Sequence, residues 1–191
     1  MNLSAHILKW FGWTVHITVP DYDRCLICVA PHTSNWDFIV GKLAYASVHR
    51  HAGFLMKETW FFPPLSWIFK AMGGVPVPLK KGSDLTHTLI ERFKKAKRLQ
   101  LAITPEGTRS LTTQWRTGFL RIAYGANIPI VLATIDFATK TVLADTTFIS
   151  TGDIQADMAS IKNYYLSTGA QGKYPEKFSA QPGDEQPPTS K

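Results

Sequence analysis

At 191 residues the chain has the length of one domain, with enough residues to bury a sizeable core. Its hydrophobic content of 45% is ordinary for a globular protein. A formal charge of +7 and a pI near 9.5 favour acidic partners, but no zinc-finger spacing or aromatic-studded RNA motif supports nucleic acid among them.

Residues 2–13 form an apolar-aromatic segment carrying Lys9, Trp10 and Trp13. The pattern predicts a short helix, either lying at the headgroup level of a bilayer or packed on the domain's own core. Residues 14–19 alternate as a strand. Residues 25–30 are continuously apolar and predict a buried strand, ended by Pro31, which has no N–H for the ladder. Cys25 and Cys28 lie three apart on that strand and so point to opposite faces. This excludes a shared metal ion or a disulfide between them, and free thiols suit a reducing compartment.

His32-Thr33-Ser34-Asn35-Trp36-Asp37 follows. Thr33, Ser34 and Asn35 are all good helix N-caps, and Phe38, Ile39, Val40, Leu43 and Ala44 give the helix after them. His32 therefore falls where a strand hands over to a helix, the crevice in which α/β sheets hold ligands. Asp37 is about one turn further on, within reach of an imidazole nitrogen. A histidine backed by a carboxylate can act as a general base.

His49 and His51 lack further ligands nearby and read as solvent-exposed. Residues 53–56 predict a second buried strand. Residues 60–70 carry more aromatic rings than one helix face can hide; core burial accounts for part of the excess, and membrane contact or an apolar tunnel for the rest. Pro76 and Pro78 confine the extended segment 72–81 to a sheet edge. Ser83 or Asp84 caps a helix with Leu85, Leu89, Phe93 and Ala96 on one face. That helix closes in a cationic cluster, Lys94 to Arg98, suited to its negative dipole end.

Residues 99–103 predict another strand, running into Pro105-Glu106-Gly107-Thr108-Arg109-Ser110. Gly107 permits positive φ, so that successive N–H groups can converge on an anion. Thr108 and Ser110 add hydroxyls and Arg109 a bidentate cation. Residues 119–124 predict a helix stopped by Gly125. Residues 128–133 and 141–148 predict strands, and Gly152-Asp153 opens a helix with Ile154, Met158, Ile161 and Tyr165 on one face. Residues 169–191 are rich in Gly, Pro, Gln, Ser and Lys and predict a disordered tail.

The two stretches HTSNWD and PEGTRS, each behind a strand and in this order, resemble the glycerophospholipid acyltransferase family over roughly residues 10–150. The resemblance implies acyl transfer from a thioester, acyl-ACP or acyl-CoA, to the free hydroxyl of lysophosphatidic acid. His32 would be the general base and Asp37 would fix its ring. Glu106, Gly107, Thr108 and Arg109 would place the acceptor, with Arg109 on its phosphate. The family usually ends its Gly-Gly-Val-Pro-Val-like strand with a phosphate-binding arginine. That place falls near Leu79 here, and Lys80 and Lys81 just beyond it are the substrate-binding candidates. Residues 128–133 resemble a further family motif, with Leu132 where a proline is common.

The expected fold is a single α/β domain, a mixed β-sheet flanked by helices, with the active site on loops at strand ends. Residues 1–13 form the N-terminal helix, 14–168 the acyltransferase domain and 169–191 the tail. A thiolate is a good leaving group, so no metal, cofactor or covalent intermediate is expected. No stretch reaches the roughly 18 apolar residues of a spanning helix and no signal peptide is recognisable. The expected location is the cytoplasm, with peripheral contact on the membrane's cytoplasmic face. The alternatives are transfer to another lysolipid or an amine-bearing acceptor, and a membrane-binding module without catalysis.

Overall fold

The computed structural model describes residues 2–77 and 85–181. Lys80 and Lys81 lie outside the described residues, as do Leu79 and the expected caps Ser83 and Asp84. The elements are α1 (Leu3–Trp10), β1 (Thr14–Ile17), β2 (Arg24–Val29), α2 (Trp36–Ser47), β3 (Gly53–Lys57), α3 (Leu65–Ala71) and β4 (Gly74–Val77). They continue with α4 (Leu85–Lys95), β5 (Leu99–Ile103), α5 (Gly118–Ala126), β6 (Ile130–Asp136), β7 (Thr141–Phe148) and α6 (Ile154–Thr168).

The strands form one mixed sheet in the order β1-β7-β6-β2-β5-β3-β4. All neighbours are parallel except β6 and β7. β2 is central, between β6 and β5, because it is apolar on both faces. On one face Leu26, Cys28, Leu101, Ile130 and Leu132 meet Leu89 and Phe93 of α4, Leu120 of α5, and Met158, Ile161 and Tyr165 of α6. On the other, Cys25, Ile27, Val131 and Ala133 meet Tyr45 of α2. Cys25 and Cys28 thus face opposite layers, and burial pushes both thiols up to about 12. Pro76 sits on the edge strand β4.

The N-terminal helix packs on α2: Leu8 joins Val40 and Ala44, and the Asn2 Nδ2 group donates to the Ala46 carbonyl at 2.6 Å. Its other side leaves Leu3, Trp10 and Phe11 exposed. The aromatic stretch after β3 likewise leaves Trp60, Phe62, Trp67 and Ile68 exposed. In the cationic cluster, Lys94 and Lys95 reach Glu91, and Arg98 bridges Asp21 at 2.6 Å and Asp23 at 3.1 Å. The cluster precedes β5, so it lies at the opposite end of the sheet from the loops that follow β2 and β5.

Two expectations are corrected. α5 does not stop at Gly125 but runs to Ala126 and closes on Asn127, which takes the left-handed conformation at φ 50°. Gly125 serves close packing instead, since a Cβ there would stand 2.7 Å from Ile90 of α4. The tail expected to be disordered from Gly169 is packed as far as Ala180. Gly169 ends α6 at φ 62°, a 3-10 turn forms at Pro175–Lys177, Phe178 packs on the core and Ala180 is fully buried. The composition of the whole tail hides this short apolar anchor.

Candidate active site

β2 and β5 are parallel neighbours, with Cys28 level with Ile103. Their C-terminal ends therefore share one edge, and the loops that follow them meet. The first loop carries His32. Its Nδ1 lies 3.1 Å from Oδ2 of Asp37, and that oxygen also accepts the backbone N–H groups of Thr33 at 2.8 Å and Ser34 at 2.9 Å. Asp37, in the first turn of α2, thus folds back over its own N-terminus, where the dipole favours a carboxylate. Asn35 occupies the N-cap without a side-chain capping bond, while the Ser34 hydroxyl accepts from Trp36 N–H at 2.9 Å. With Asp37 accepting, Nδ1 carries the hydrogen and Nε2 is left as the basic nitrogen. The His32 side chain is 21% exposed and that of Asp37 2%, so the pair is reached only from the histidine side.

The second loop is tied to the first by Glu106. Its Oε1 accepts the backbone N–H of His32 at 2.7 Å, and the residue is buried. Oε2 of Glu106 and Oδ1 of Asp37 are buried with no hydrogen-bond partner among the described residues. Burial raises the Glu106 carboxyl to about 8; the nearby Asp37 charge pushes the same way and the His32 N–H bond opposes it. Glu106 therefore faces the histidine loop, not the open cleft.

Gly107 has φ 65°, yet its N–H is spent on the Thr104 carbonyl at 3.1 Å and that of Ser110 on the Thr108 hydroxyl at 3.1 Å. Of the loop's N–H groups expected to converge on an anion, these two are engaged within the loop. The glycine has another use, because a Cβ there would come within 2.9 Å of the Arg116 side chain. Arg116, whose N–H donates to the Pro105 carbonyl at 2.7 Å, lies against the loop. No spacing in the sequence marked it. Arg109 is exposed and donates through Nη1 to Asn35 Oδ1.

His32, Thr104, Gly107, Thr108, Arg109 and Ser110 line one polar cleft of about 380 Å³. Beside it a larger cavity of about 970 Å³ shares His32, Thr104, Gly107 and Arg109 and adds Arg116 at its mouth. Deeper, it is lined by Phe38, Gly41 and Tyr45 of α2 and by Phe54, Ile135 and Val142 of the sheet. None of residues 60–70 lines it, so the crowded aromatics of that stretch form no wall of this cavity. A polar cleft with an imidazole and guanidinium groups, continuous with an apolar hollow, is shaped for an amphiphile with a charged head.

An imidazole held by a carboxylate at the mouth of such a cleft has the chemistry of group transfer to a hydroxyl. The Acyltransferase family model matches residues 14–136, and the chain belongs to that family; it is an acyltransferase. Its fold is similar to the crystal structure of the 1-acyl-sn-glycerophosphate (LPA) acyltransferase PlsC from Thermotoga maritima. The TM-score is 0.58 at 19% identity, over 90% of this chain and 78% of that one. No curated protein matches the chain.

Proposed function

We propose that the protein transfers a fatty acyl group from a thioester, acyl-ACP or acyl-CoA, to the free hydroxyl of lysophosphatidic acid. The supporting observation is that His32 and Arg109, 77 positions apart by their numbers, line one cleft that opens into an apolar cavity. Nε2 of His32 takes the proton of the acceptor hydroxyl as its oxygen attacks the thioester carbonyl. The tetrahedral intermediate expels the thiolate, to which the imidazolium returns the proton. Asp37 holds the ring and Glu106 the backbone beneath it. No cofactor enters this route, since the thiolate leaves readily. Transfer from labelled thioester to a panel of lysolipids tests the reading. Preference for 1-acyl-sn-glycerol-3-phosphate supports it, and transfer only to amine-bearing or phosphate-free lysolipids overturns it.

Arg109 and Arg116 supply the charge for the phosphate, a role also proposed for Lys80 and Lys81; Thr108 adds a hydroxyl. A charge-assisted bond of about 1.5–3 kcal/mol is at stake for each arginine. Arg109→Ala and Arg116→Ala are each expected to raise the acceptor KM about 10- to 100-fold with kcat little changed. Steady-state kinetics with varied acceptor checks this.

The apolar cavity takes the acyl chain. Gly41 of α2 faces it, and a Cβ there would meet only Ile135, at 3.4 Å. Gly41→Leu fills the hollow at that depth, so the preferred chain should shorten by several carbons in a competition among acyl thioesters. No described helix is long and apolar enough to cross a membrane. We place the protein peripherally on the cytoplasmic face, with exposed Leu3, Trp10 and Phe11 of the N-terminal segment entering the headgroup region. Trp10→Glu with Phe11→Glu should abolish co-sedimentation with anionic phospholipid vesicles.

A further inference from the structure

The segment that follows α6 lies outside the matched residues 14–136, yet it touches both halves of the site. Three attachments hold it. At the end of β6, the Phe137 N–H donates to the Gln171 carbonyl at 2.8 Å, and the Gln171 N–H to Asp136 Oδ1 at 3.1 Å. At the histidine loop, the Tyr174 N–H donates to the Thr33 hydroxyl at 3.1 Å. Gly172 packs so closely there that a Cβ would stand 2.6 Å from Thr33 Oγ1 and 3.2 Å from Pro31. Lys173 lies over the Trp36 ring at 5.1 Å. At the second loop, Trp115 Nε1 donates to the Ser179 carbonyl at 3.1 Å, its ring packs on Phe178, and Ala180 is buried in the same core.

We propose that residues 170–181 are a strap that holds the catalytic loop in register, with Thr33 as the positioning residue at the joint. Thr33 sits between His32 and the carboxylate that orients it. Its hydroxyl accepts from the strap, and its own N–H donates to Asp37 Oδ2. It is buried, so no water replaces the strap at that oxygen without a local opening. Trp115 immediately precedes Arg116, and its bond to Ser179 fastens the arginine-bearing stretch to the same strap. The spacing between imidazole and guanidinium is thereby set from behind by a segment that lines neither the cleft nor the cavity. Gly172 is the residue this closeness demands, since any side chain would drive the strap off Thr33 and Pro31.

The proposal rests on the acyl-transfer reading for its kinetic consequence but not for its structural one, and the test uses both. Thr33→Val keeps the side-chain shape and removes the acceptor; Gly172→Val displaces the strap; Thr33→Ser keeps the acceptor. A displacement of the order of 1 Å at a catalytic group costs up to about 100-fold in rate. Thr33→Val and Gly172→Val should each lower kcat by about 10- to 100-fold with acceptor KM nearly constant. Thr33→Ser should recover most of the turnover. The double variant should lose no more than the worse single one, because both break the same contact. In parallel, hydrogen exchange at the Ser34 amide, which bonds Asp37, should accelerate in Thr33→Val and Gly172→Val while β2 amides keep their protection. If the wild type transfers no acyl group to any lysolipid, the functional reading fails and the exchange result alone decides the strap. Unchanged Ser34 exchange in both variants, or losses that multiply in the double variant, overturns the proposal.

Discussion

Replacing His32 by Ala is expected to lower turnover by about 10³-fold, within the span of a lost general base, while the fold survives. The imidazole is partly exposed and packs no core, so its removal leaves no large cavity. The Asp37 carboxylate it leaves keeps two backbone N–H donors, those of Thr33 and Ser34. The acceptor KM should stay within a few-fold, because the proposed phosphate contacts, Arg109 and Arg116, are untouched by the substitution. Kinetics of the purified variant beside its thermal melt would check the result. Turnover at the wild-type level removes the base assignment; a collapsed melt means the histidine serves the fold. Asp37→Asn should fall between the two, since an amide keeps the ring's neighbourhood but offers its hydrogen-bonding groups differently.

The second large effect is a pH dependence of stability centred on Glu106. Its carboxyl is raised to about 8 in the folded protein, chiefly by burial, from an ordinary value near 4.5. Between those values the folded state keeps a proton that the unfolded state has lost. Stability therefore falls as pH rises through this window, by up to about 1.4 kcal/mol per pH unit. Below the window both states are protonated and Glu106 contributes no slope. Above it, the full cost of an ionised, buried carboxylate beside Asp37 is present. Asp21, Asp136 and Asp157 are all held below their ordinary values and act in the opposite sense, but only under acid conditions near or below pH 4. Thermal melts from pH 5 to 9 should therefore decline by the order of 10 °C for a chain of this size. Glu106→Gln, which keeps an oxygen for the His32 N–H, should flatten that decline. An equal slope in the variant would show that the pH dependence arises elsewhere.

The same carboxyl explains how two buried acids can flank His32, Asp37 at its ring and Glu106 at its backbone N–H. Two buried charges side by side repel, and the one that takes the proton is Glu106. Asp37 is then left to orient His32, and Glu106 serves as a backbone clamp between the loops. The resemblance places Glu106 with the acceptor. Its side chain turns inward, toward the His32 N–H.

Much of this protein could be read locally. An apolar run ended by Pro31, followed by capping residues, places His32 at the head of α2, and the distance from His32 to Asp37 is set within that one turn. The opposite faces of Cys25 and Cys28 follow from the strand period alone, and Asp153 at the start of α6 bonds Gln155 and Ala156 as its chemistry requires. Such features depend on residues within a few positions of one another. Tertiary structure decided which strands became neighbours, and the adjacency of β2 and β5 is what brings Glu106, Arg109 and Arg116 to His32. It also turned Gly125 from a helix stop into a packing contact and set the Arg116 side chain against Gly107. Finally it anchored a polar tail through Phe178 and Ala180. In each case the deciding contact joins residues far apart in the chain, where neither periodicity nor capping carries information, because burial is settled only when the sheet and its helices close around it.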